Sequence, residues 1–119
     1  MRIAAVACIL VSLALPAAAQ TRTPAQRQVV LSLARTLGEA HALRLVCHGD
    51  YIWYGRMESL IAAEKPDAAY ESALKDAFNS GFHARQAQFP TCTRDAEQAQ
   101  TQVDAKGSTL SRRLAKPEG

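Results

Sequence analysis

Residues 24–47 read PAQRQVVLSLARTLGEAHALRLVC, and the spacing of their apolar side chains decides the fold. At the 100° per residue of an α-helix, Val29, Leu33, Leu37, Ala40, Leu43 and Cys47 fall on one side with Val30 at its edge, the stripe of a helix packed on a core. Pro24 is tolerated in a first helical turn, Thr23 is placed to cap that turn, and Gly49 ends the run.

Outward from that helix the same period recurs. Residues 51–64 carry Trp53, Met57, Leu60 and Ile61 at i, i+4, i+7 and i+8, and Pro66 breaks the pattern. Pro66 and Asp67 open a third helix whose buried side should hold Tyr70, Leu74, Ala77, Phe78 and Gly81. A mid-helix glycine costs about 1 kcal/mol relative to alanine. Gly81 therefore marks either a close approach of another backbone or the end of the helix at Asn79-Ser80-Gly81. Phe89-Pro90-Thr91-Cys92 is a turn, and Thr93 caps a fourth helix with Asp95 and Glu97 in its first turn. The fourth stripe is thin: Ala96, Ala99, Val103, Leu110 and Leu114 recur at helical spacing, with Gly107-Ser108 interrupting it. No stretch alternates apolar and polar residues as a half-buried strand does. The expected class is all-α, and the short connections favour a compact antiparallel bundle of about four helices.

Ahead of the helices, Met1-Arg2 is followed by an apolar and small run from Ile3 to Leu15, then by Pro16 and Ala17-Ala18-Ala19. A positive start, a short apolar core and an Ala-x-Ala site are the parts of a secretory signal peptide, with cleavage expected after Ala19. The run is too short to cross a bilayer as an anchor. Cys8 lies too near the N-terminus for lipidation and leaves with the leader. Residues 1–19 are thus read as the removed leader and 20–119 as one helical domain, exported to the periplasm and without a membrane span after processing.

The chain carries 14 Lys+Arg against 11 Asp+Glu, a net +3 that falls by one when Arg2 is lost. The basic residues are scattered, Arg112-Arg113 being the only adjacent pair, which excludes a surface that tracks a nucleic-acid backbone. Cys47 and Cys92 are the two cysteines beyond the leader, and an oxidising compartment pairs them. Closing a loop of roughly 46 residues stabilises by about 4 kcal/mol in the chain-entropy estimate. Counting helix directions brings both sulfurs to the same end of the bundle, so the bond should pin the first helix to the start of the last.

Taken together, Leu33-x-x-x-Leu37-Gly38-x-x-His41-x-Leu43-Arg44-x-x-Cys47, Trp53-x-x-x-Met57, Phe78-Asn79-x-Gly81-Phe82 and Thr91-Cys92-Thr93 resemble a family of small secreted alphaproteobacterial proteins, a domain of unknown function. The resemblance covers residues 33–93. It implies an envelope or periplasmic location in a Gram-negative bacterium and brings no catalytic residues.

His41 and Arg44 stand one turn apart, and the helical projection aims Arg44 into the apolar stripe. A buried arginine must be paired, so Arg44 should meet backbone carbonyls or a carboxylate such as Asp50, Glu58 or Asp76. Alternatively, His41, Arg44 and His48 line a small anion pocket, with Arg44 giving bidentate contacts. Cys47-His48 matches the end of a haem-attachment motif, but Arg44 stands where the second cysteine belongs. His41, His48 and His83 lack the spacing of metal ligands, and Ser32, Ser59, Ser72 and Ser80 lie within helices rather than on a nucleophile elbow. No cofactor is expected. Trp53 is assigned to the core, whereas Tyr51 and Tyr54 straddle the stripe and, exposed together, would form an interaction patch.

Two functions follow as expectations. One is a non-enzymatic periplasmic protein with a structural or protein-interaction role in the envelope, a helical acid-stress chaperone being one variant. The other is a small-ligand or anion-binding protein, an enzyme included, built around His41 and Arg44.

Overall fold

The computed structural model describes residues 22–116, and the expected leader, residues 1–19, lies outside them. Among the described residues there are four helices and no strand: α1 Pro24–His48, α2 Ile52–Glu64, α3 Ala68–Gln88 and α4 Arg94–Ala115. Their ends are set by local chemistry. Thr23 and Gln26 form a reciprocal capping box at the start of α1, Asp67 accepts from Tyr70 N at 2.8 Å, and Thr93 accepts from Ala96 N at 3.1 Å. Gly49 closes α1 in the left-handed conformation at φ 69, and Lys65 closes α2 at φ 45. None of the described helices is long and apolar enough to cross a membrane.

Consecutive helices alternate in direction, yet the most intimate pairing is between α1 and α3, which run the same way. Two glycines make that approach. A Cβ on Gly38 would overlap the carbonyl of Phe78, and one on Gly81 would overlap the carbonyl of Arg35. Gly81 thus serves the close approach, and α3 continues past it to Gln88. Nor does Gly107-Ser108 interrupt α4, which runs unbroken through both residues. The glycine penalty of about 1 kcal/mol is smaller than what continued packing on α1 returns through Leu110 and Leu114.

Every residue from 36 to 43 is buried, because α1 is wrapped by the other three helices. One core cluster joins Val30, Leu33, Leu37, Met57, Leu74 and Phe78, and a second joins Ala40, Leu43, Ala96, Ala99 and Val103. Trp53 is half-buried and packs against both, so its assignment to the core holds in part. The disulfide Cys47–Cys92 is formed, with Cα atoms 4.9 Å apart, and ties the last turn of α1 to the residue before the cap of α4.

Two charge clusters escaped the sequence reading. Glu39, 7% exposed, accepts from Arg85 Nε at 2.7 Å across the α1–α3 contact. Glu64 accepts from Arg22 Nε at 3.0 Å and from the Tyr70 hydroxyl at 3.5 Å, fastening the end opposite the disulfide. A buried carboxylate without such partners would cost several kcal/mol, on the order of 3 to 5.

Candidate functional site

Gly49 turns the chain out of α1 so that Asp50 and Tyr51 fold back over the helix they have just left. Asp50 holds the turn in place. Its Oδ2 accepts from Arg44 Nε at 2.8 Å, and its Oδ1 accepts from Ile52 N at 3.4 Å, the first amide of α2. The Arg44 hydrogen bond, with the charges of Arg44 and His48 adding to it, holds the Asp50 carboxyl below its ordinary range.

Beneath that turn lies His41. It is 6% exposed, and four aromatic rings surround it: Tyr51 at 5.5 Å between centroids, Tyr54 at 5.8 Å, Phe78 at 5.8 Å and Phe82 at 5.2 Å. The two phenylalanines come from α3 and stack at 27° and 30°, while the two tyrosines are tilted at 45° and 49°. Burial pushes the His41 imidazole below 6.5, with Asp50 partly opposing, so at neutral pH it is an uncharged member of the stack. Its Nδ1 is buried and has no hydrogen-bond partner.

Above the histidine the cluster opens to solvent. Tyr51, Ile52 and Tyr54 are 63%, 50% and 49% exposed, and they are the large apolar side chains that the described surface leaves open. Tyr51 and Tyr54 rest their inner edges on the buried His41 ring, which holds their outer faces in place, and Tyr54 also meets Phe78 edge-on at 6.2 Å. The arrangement presents a fixed aromatic surface with two phenol hydroxyls, which suits contact with another molecule better than proton transfer.

The sequence-derived site residues separate into distinct places. His41, Tyr51 and Tyr54 come together in one cluster, as do Arg44 and Asp50 beside it. Arg44 is not buried as the helical projection implied. Its side chain is 32% exposed, because α1 is only half-covered beyond Leu43, and Asp50 is the partner it takes from the three named carboxylates. His48 is exposed in the last turn of α1, and His83 is exposed with its ring edge-on to Phe82 at 5.5 Å. Sequence reasoning placed Phe78 in the core without seeing that it and Phe82 form the floor under His41. The signal was present: Phe78 and Phe82 are one helical turn apart, as are Ala42 and Gly38 facing them.

No curated protein and no solved structure matches the chain. Residues 24–117, which include all four helices, match the family described as "Protein of unknown function (DUF2385)".

Proposed function

We propose that this chain, which belongs to the DUF2385 family, is a non-enzymatic periplasmic protein that binds another envelope protein through the surface formed by Tyr51, Ile52 and Tyr54. Export is supported by the leader-like residues 1–19 and by a disulfide, which persists in oxidising compartments. The resemblance to small secreted alphaproteobacterial proteins points the same way. One observation carries the binding role: the exposed Tyr51 and Tyr54, with the exposed Ile52 between them in sequence, stand together against the buried His41 ring. Tyrosine contributes large contact area with little rotamer entropy to lose, and it is enriched where interfaces concentrate their energy.

The test is site-specific photocrosslinking in the native host, with the probe at Ile52 or, as a control, at the exposed Gln98 of α4. A single defined envelope adduct is expected from Ile52 and none from Gln98. The same adducts from both positions, or none from Ile52, would sink the reading.

A second reading, an anion pocket formed by His41, Arg44 and His48, has in its favour the unpartnered Nδ1 of His41. Against it, the Asp50 carboxylate already accepts from Arg44 Nε and would repel an anion there. Titration with phosphate before and after Arg44→Leu tests this, and heat released only by the parent protein would support it.

A further inference from the structure

On the side of α1 away from α3, the helices do not close. α2 and α4 make no close backbone approach to each other, and between them lies a groove of about 580 Å³ floored by α1. That volume is in the range of small-molecule sites. Leu33 and Leu37 of α1, Leu60 of α2 and Val103 of α4 make its base apolar, and Trp53 walls it on the α2 side. From Val103 to Arg112 the α4 wall is about 13 Å long at 1.5 Å per residue, the reach of a medium-chain acyl group.

The polar groups in the groove are mostly donors. Arg56 comes from α2 and Arg112 from α4, so one guanidinium stands on each wall, and neither is engaged by a carboxylate among the described residues. Arg56 lies over the Trp53 ring at 5.0 Å, Arg112 donates to Thr109 Oγ1 at 3.3 Å, and Ser108 and Ser111 add hydroxyls. The one opposing group is Asp104. Its Oδ1 is buried without a hydrogen-bond partner, and burial pushes its carboxyl up, with the charge of Arg44 opposing.

We infer that the groove between α2 and α4 binds a single-chain amphiphile with an anionic head group, its tail along Leu33, Leu37, Leu60 and Val103 and its head between Arg56 and Arg112. Guanidinium groups recognise carboxylate and phosphate oxygens bidentately, and they do so best beside an apolar wall that excludes water. The site is separate from the tyrosine surface, so either assignment stands or falls without the other.

Trp53 is the chain's sole tryptophan and lines the groove, which supplies a built-in reporter. The full-length processed protein, disulfide intact, is titrated below the micelle concentration with dodecanoate and with dodecyl phosphate. Tryptophan emission and calorimetry are read together. A saturable one-to-one response to either is expected, and the tighter of the two identifies the head group as a carboxylate or a phosphate monoester. The double variant Arg56→Gln, Arg112→Gln should bind about tenfold or more weakly with unchanged thermal unfolding, since both residues are exposed. Ser108→Phe, which fills the groove from an exposed position, should abolish binding. An absent or non-saturating response overturns the inference. So does equal binding of dodecyltrimethylammonium or of inorganic phosphate alone, or full affinity in the double variant.

Discussion

The two sides of α1 are built on opposite principles. Toward α3, Gly38 and Gly81 let the backbones meet, and Glu39 with Arg85 fills the edge of the contact. On the other side α2 and α4 each pack on α1 but not on each other, and Leu33, Leu37, Leu60 and Trp53 line the groove left between them. The closed side gains from continuous dispersion contact, which fixes one geometry, and the open side keeps apolar surface in reach of solvent. A helix pair becomes rigid where side chains are absent and accessible where they are large. The disulfide joins α1 to the head of α4, beside the cluster in which Ala96 and Ala99 pack on Ala40 and Leu43.

Removing that bond is expected to have the largest effect. Cys47→Ser with Cys92→Ser should lower the unfolding free energy by about 4 kcal/mol. Hydrogen exchange should then rise in α4 before α3. Equal loosening of both helices would erase the distinction between the two sides.

Glycine substitutions read the two sides directly. Gly38→Ala and Gly81→Ala each place a methyl on an opposing carbonyl, and denaturant unfolding should show a loss of about 2 to 3 kcal/mol for each. Gly107→Ala meets only Thr36 Cγ2 at 3.7 Å, an ordinary contact. That change should be neutral or stabilise by up to about 1 kcal/mol, as expected for a helix interior. A comparable loss at all three positions would show that the groove side is closed as well.

Asp104→Asn sharpens the contrast from within the groove. The raised carboxyl of Asp104 makes the folded protein hold a proton that the unfolded chain releases, so stability is lost as pH rises through the folded value. The variant should gain less than about 1 kcal/mol at pH 7, given solvent screening, and nothing well below pH 3.8. His41 gives the smallest effect and the opposite sign. Its lowered native pKa leaves stability untouched above 6.5 and reduces it as pH falls from there toward the native value. Thermal unfolding of His41→Phe should lack that acid-side decline.

What was readable one-dimensionally was whatever repeats or punctuates. Helix positions followed from the period of Val29, Leu33 and Leu37, the stops from Gly49 and Pro66, the caps from Thr23, Asp67 and Thr93, and the covalent tie from two cysteines. Tyr51 and Tyr54 flank a stripe without belonging to it, and both stand exposed. The second face of α1 was invisible, because Ala34, Gly38 and Ala42 carry almost no hydrophobic signal while being the residues that permit close contact. Nothing local in the sequence marks Glu39 and Glu64, and only partners 46 and 42 residues away make them interior charges. The sequence by itself determined four helices, their N-terminal caps and the disulfide, because those depend on neighbours within a turn or on a lone pair of thiols, whereas the run of α3 past Gly81 and of α4 through Gly107 waited on packing against α1. Tertiary structure alone decided which helices touch and which leave a groove. That choice rests on where small side chains from distant segments meet, a property no single helix possesses.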